Sequence, residues 1–252
     1  MRFSAHGTTH PGRRSSNEDA FFVDVSLGLF IVADGMGGHN AGEVAAHLAI
    51  ETISEFIRHT HQTDPTWPYG FDPALSLEGN RVSSSLRLAN DRVRQAADSR
   101  IDCAGMGTTV VVSLVTDGRI VFGGVGDSRL YMWHEGALQP LTQDDSWVAM
   151  VLAREPGMTE TALAQHPMRH VLTNVVGAKP DMDPKVAEQA VSSGDVLLLC
   201  SDGLHGVLTA DAIGSMLGSN RTAEQIANDL LETAIAQGAK DNVTAVVVRC
   251  DK

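Results

Sequence analysis

Thr108-Thr109-Val110-Val111-Val112-Ser113-Leu114-Val115 runs through Thr116-Asp117-Gly118 into Arg119-Ile120-Val121-Phe122-Gly123-Gly124-Val125. Two runs rich in β-branched and apolar residues, joined by an Asp-Gly turn, read as neighbouring strands of a hairpin. A hairpin is antiparallel, which weighs against a doubly wound parallel sheet. Outward from this pair, Ala20–Val25, Leu29–Ala33, Arg129–Trp133, Val196–Cys200 and Val243–Val248 have the same strand character. His134-Glu135-Gly136 turns the chain into a further extended piece, Leu138–Leu141. Helical segments are Glu43–His59, Val82–Ala97 with Leu86, Leu88, Ala89 and Val93 on its apolar side, and Thr222–Ala236. Thr222 is the candidate N-cap of the last. Gln62–Gly79, which holds Pro65, Pro68 and Pro73, reads as a loop. The coarse architecture is α+β, with buried antiparallel sheets covered by amphipathic helices.

With 252 residues, 43% of them hydrophobic, the chain can bury a sizeable core, and it shows no internal repeat. One domain over 1–252 is expected. The formal charge of −12, from 31 acidic against 19 basic residues, argues against a nucleic-acid partner. Three cysteines without a C-x-x-C pair give neither a disulfide framework nor a thiolate zinc site. Cys200, inside Val196–Cys200, reads as a small core residue. The start has no apolar signal core, and the longest apolar run, Trp147 to Ala153, cannot cross a bilayer. The expectation is a cytoplasmic protein without a membrane partner.

One pattern recurs: apolar strands stop at aspartates. Leu29–Ala33 ends in Asp34-Gly35, Val121–Gly126 in Asp127, and Val196–Cys200 in Ser201-Asp202-Gly203, while Asp241-Asn242 immediately precedes Val243–Val248. Any one of these is a strand followed by a turn. Their recurrence points to carboxylates gathered at one rim, where they repel one another unless a divalent cation offsets the charge. All-oxygen ligands favour Mg²⁺ or Mn²⁺ over zinc. The adjoining glycines would let backbone approach the metal, and the carbonyl of Gly35 is a candidate ligand. A dinucleotide loop at Gly35 and Gly37 fails at its third glycine, where Asn40 stands, and no P-loop, G-x-S-x-G or Cys-x5-Arg motif is present.

Further stretches make the pattern specific: Arg14-Ser15-Ser16-Asn17-Glu18-Asp19, Val32-Ala33-Asp34-Gly35-Met36-Gly37-Gly38-His39 with Gly42-Glu43, and Gly105-Met106-Gly107-Thr108-Thr109. They continue with Gly126-Asp127-Ser128-Arg129, Leu199-Cys200-Ser201-Asp202-Gly203-Leu204 and Lys240-Asp241-Asn242-Val243-Thr244. In content and order the chain resembles a bacterial member of the metal-dependent protein phosphatase family, type 2C. The resemblance implies a four-layer α-β-β-α sandwich of two antiparallel sheets flanked by helices, with a binuclear metal site at one edge. It implies that Asp34 bridges two Mn²⁺ or Mg²⁺ ions, that the Gly35 carbonyl binds one, and that Asp202 and Asp241 complete the other. Asp127 would help hold a weaker third ion, with Asp202 shared. Glu18 and Asp19 would order metal-bound waters, and Arg14 would bind the phosphate. The implied reaction is hydrolysis of phosphoserine and phosphothreonine by water activated between the two metals. The implied partners are phosphorylated proteins, among them a serine/threonine kinase and its targets, and the implied state is a monomer. A pseudophosphatase would have lost metal aspartates, which are all present here.

Three departures stand out. Met36 occupies the position where many eukaryotic relatives have a histidine general acid, so the acid is unassigned; His39 is near in sequence, though a structural role beside the glycine loop suits it equally. Asp145 stands where relatives commonly have histidine. His170 stands where asparagine is frequent. The last two fall in the expected flap segment, about 144–178, so substrate preference is not inherited from relatives.

Overall fold

The hairpin that organises the sequence is β4 (Gly107–Thr116) and β5 (Arg119–Val125) in the computed structural model, with Thr116 paired to Arg119. The structure describes residues 2–38, 41–63, 66–116, 118–155, 157–163 and 165–251. His39, Asn40 and Asp117, singled out above, lie outside the described residues. Around the hairpin, β2 (Asp19–Asp24), β3 (Leu29–Met36) and β8 (Lys185–Ala190) complete a five-stranded sheet in the order β2-β3-β4-β5-β8. A second sheet has the order β1-β10-β9-β6-β7, from β1 (Arg2–His10), β10 (Val243–Asp251), β9 (Val196–Cys200), β6 (Arg129–His134) and β7 (Ala137–Pro140). Neighbouring strands in both sheets run antiparallel.

Alternation along the strands builds the layers. Leu29, Ile31 and Ala33 of β3 pack with Ile53 of α1 (Ala41–Gln62) and Leu86 of α2 (Leu77–Ser99). Phe30 and Val32 point the other way, toward Leu197, Leu199, Val246 and Val248 of the second sheet. That sheet's outer face, with Leu198, Cys200, Ala245 and Val247, is covered by Ile226 and Leu230 of α7 (Ala223–Ala236). The result is the α-β-β-α sandwich.

The helices start earlier than their apolar spacing suggests. α2 begins at Leu77 because Ser76 caps it, its hydroxyl accepting from Gly79 N at 2.9 Å. Thr222 caps α7 as expected, in a reciprocal capping box with Gln225. Two strands escape sequence reading. β1 is mostly polar, with Phe3 and Ala5 against the core between the sheets, and pairs along nine residues with β10. β8, Lys-Val-Ala-Glu-Gln-Ala, is a half-exposed edge strand. Short helices α5 (Asp202–His205) and α6 (Ala210–Leu217) follow β9, while α3 (Trp147–Arg154) and α4 (Glu160–Leu163) lie between β7 and β8. Among the described residues, no helix is long and apolar enough to cross a membrane.

Candidate metal centre

The register brings the aspartates to one rim. β3 and β9 end there and β2 and β10 begin there, so Asp34 stands beside Asp19 on one side and Thr109 on the other. Asp19 is buried and joins the sheets. Its Oδ2 accepts hydrogen bonds from Ser201 Oγ at 2.7 Å and Thr244 Oγ1 at 2.6 Å, both on the opposite sheet's side. Its Oδ1 is buried with no partner among the described residues.

Asn242 secures the loop that carries Arg14. Its Oδ1 accepts from Glu18 N at 2.8 Å, and its Nδ2 donates to Pro11 O at 3.1 Å and Ser16 O at 2.9 Å. Arg14 then reaches back over the cleft, Nη2 donating to Asp241 Oδ2 at 2.7 Å. The glycines after the aspartates admit neighbouring protein backbone. A Cβ on Gly35 would stand 2.0 Å from Gly42 O, and one on Gly203 would stand 1.9 Å from Asn242 O. No side chain fits either approach.

These segments enclose a cleft of about 380 Å³ lined by Arg14, Glu18, Asp34, Asp127, Asp202 and Asp241, with Met36 and His170 on its walls. The electrostatics are those of carboxylates held too close. Burial, then the charges of Asp19, Asp202, Asp127 and Asp241, push the Asp34 carboxyl well above the ordinary range. Burial and the charge of Asp202 raise Asp127 to about 7. Burial raises Asp19 to about 6 against the pull of its two hydroxyl donors. Asp202 is raised by burial and by Asp241. Among the described residues, no three of these side chains form a closed cation cage, and Asp241 is turned to Arg14. The donor set nevertheless suits hard divalent cations: crowded carboxylates whose shifts share one cause, all-oxygen chemistry, and an unpartnered buried Oδ1 behind them.

Asp127 faces this cleft. Its carbonyl accepts from half-buried His205 Nε2 at 3.0 Å. Burial, with Arg129 adding, lowers His205 to about 4, so the ring is neutral and donates its one N–H here. Asp145 and His170 take different places. Asp145 is buried, where Oδ1 meets Lys185 Nζ at 2.7 Å and Oδ2 meets Asn174 Nδ2 at 3.2 Å. Its backbone N donates to Gly126 O at 2.7 Å. Asp145 is thus an anchor, whereas His170 lines the cleft itself. Asn242, Ser201, Thr244 and His205 are the positions that sequence reasoning missed; polar residues close to the recurrent aspartates were the available signal.

The sequence profile of the protein phosphatase 2C family matches residues 6–247. The chain belongs to the protein phosphatase 2C family. It is a metal-dependent serine/threonine protein phosphatase. The serine/threonine phosphatase stp of Listeria monocytogenes is 31% identical to it over 96% of this chain and 94% of that protein. The crystal structure of the Mycobacterium tuberculosis serine/threonine phosphatase PstP/Ppp superposes with a TM-score of 0.85 at 29% identity, covering 100% of both chains. The PstP catalytic domain in complex with two manganese ions gives a TM-score of 0.83 at 28% identity, covering 99% of both. As in other family members, the substrates of this phosphatase are phosphoproteins.

Proposed function

We propose that Asp34, Asp202, Asp241 and the Gly35 carbonyl hold two Mn²⁺ or Mg²⁺ ions in the cleft, with Asp127 and Asp202 holding a weaker third. The observation that carries this reading is the gathering of these carboxylates in one cleft, where burial and their mutual charges raise Asp34, Asp127 and Asp202 together and a divalent charge offsets both. When bound, such ions acidify water and offset the charge of a phosphoryl group. The chain's own residues do the rest. Arg14 presents a guanidinium fork to the phosphate oxygens and holds them in line for attack. Asn242 and the backbone of Glu18 fix the loop from which Arg14 reaches. Glu18 and Asp19 orient water around the ions, Asp19 through its free Oδ1. The proposed unit is one catalytic domain over 1–252, a monomer in the cytoplasm, with 144–178 as its flap. It reverses phosphorylation by a serine/threonine kinase, and that kinase and its targets are the proposed partners.

The test is hydrolysis of a phosphothreonine peptide after exhaustive chelation. Activity should vanish and return with Mn²⁺ or Mg²⁺, and Asp34→Asn should abolish it while lowering manganese affinity in a direct binding titration. Full turnover by demetallated protein, or by Asp34→Asn with its ions still bound, defeats the assignment.

A further inference from the structure

The catalytic cleft opens on both sides. Toward the flap it shares Asp127 with a cavity of about 450 Å³ beside α3. Toward α2 it shares Met36 with a cavity of about 380 Å³ lined by Arg94, Ala97, Asp98, Met106, Val175 and Ala178. This second cavity is preformed. Thr108 and Val176 exchange backbone hydrogen bonds of 3.1 and 3.0 Å, which fixes the Val175 loop to β4. Gly177 N donates to Asn90 Oδ1 at 2.8 Å, which fixes the same loop to α2. Its lining is mixed. Met36, Val175, Ala97 and Ala178 supply apolar surface, and the unbranched thioether of Met36 adapts to what lies against it. Arg94 and Asp98 add charge: Arg94 Nη1 stands 3.6 Å from Asp98 Oδ2 in a loose ion pair, beyond hydrogen-bond length, so the guanidinium keeps donor capacity at its outer nitrogens.

A phosphorylated residue arrives as part of a polypeptide. An extended chain advances about 3.3 Å per residue, so the next three residues lie within about 10 Å of the phosphate-bearing one. A cavity sharing a wall with the cleft is within their reach. We propose that the Met36–Arg94 cavity is a substrate subsite: it takes the apolar side chain of a residue flanking the phosphoserine or phosphothreonine, and Arg94 receives a carbonyl or carboxylate of the same segment. The inference rests on the phosphatase assignment above and deepens it. The position that offers a proton donor in many relatives here reads sequence context instead.

The test uses phosphothreonine peptides that are identical except for leucine or lysine at one position, scanned over three places on each side. The three native cysteines are buried, so Ala178→Cys, at an exposed position, places an accessible thiol at the cavity mouth. The unlabelled variant should prefer leucine in kcat/KM by about ten-fold at one position, the scale set by apolar contacts in a pocket. Labelling with a bulky maleimide should cut that preference to about two-fold or less, with p-nitrophenyl phosphate turnover unchanged because that ester has no flanking residues. Ala97→Phe, which fills the cavity from α2, should reproduce the loss. Absence of any leucine preference, or its survival in labelled Ala178→Cys or in Ala97→Phe, overturns the subsite. Failure of the manganese-loaded wild type on p-nitrophenyl phosphate overturns the phosphatase assignment instead.

Discussion

Asp19 divides its carboxylate between two tasks, one oxygen fastening the opposite sheet and the other left free behind the cleft. Asp19→Ala removes the acceptor that the buried Ser201 and Thr244 hydroxyls share, although each keeps a second partner, and should cost on the order of 1 kcal/mol in stability. It should also raise the manganese concentration for half-maximal activity, read in a metal titration beside thermal unfolding. Arg14→Ala and Asp127→Ala should fail differently. The first should raise KM for phosphopeptide and lower turnover without emptying the metal site, because in the proposed mechanism Arg14 holds phosphate, while its loss frees Asp241 for the ions. The second should lower kcat and shift the metal requirement; an Asp127→Ala enzyme with wild-type kinetics at every manganese concentration would leave Asp127 only a turn. At this scale Asp34, Asp202 and Asp241 are legible because each abuts a strongly apolar run. Asn242 is not, since its partners Pro11 and Ser16 lie more than two hundred residues away in sequence.

Elements built on local signals follow the sequence closely, and those built by partners do not. The β4–β5 hairpin and the Thr222 cap are written in contiguous residues. β1 and β8 are edge strands with few apolar residues, Phe3 and Ala5 in one and Val186 in the other, and they lean on backbone partners in β10 and β5. Thr222→Ala should therefore cost about 1 kcal/mol in thermal stability and leave catalysis untouched, since α7 covers the sheet away from the cleft. The flap responds in the opposite way. Asp145→Ala removes the acceptor for Lys185 and Asn174, so the segment loses its fixed base. The expected outcome is a raised KM for phosphopeptides with near-normal turnover of p-nitrophenyl phosphate; equal losses on both substrates would show that Asp145 supports the cleft rather than the flap.

Across the whole molecule, the cleft carboxylates set how stability responds to acid. Asp19 and Asp127 keep protons in the folded chain that the unfolded chain has already released. Their contribution is full below about pH 4 and is lost as pH rises through about 6 for Asp19 and about 7 for Asp127. Chelated protein should melt at falling temperatures across that window, and saturating manganese should flatten the slope by removing the penalty on the charged forms. A slope unchanged by manganese would mean that the ions bind elsewhere. The pairing of β1 with β10 bears on how the molecule can be handled. Arg2 lies opposite Asp251, while His10 and Val243 lie at the cleft end of the same two strands. Nine residues of strand put about 30 Å between those ends. A reporter fused, or a bead coupled, at Arg2 or Asp251 would therefore hang from the pole opposite the cleft, and a phosphatase tethered by either point would present its open side outward to arriving substrates.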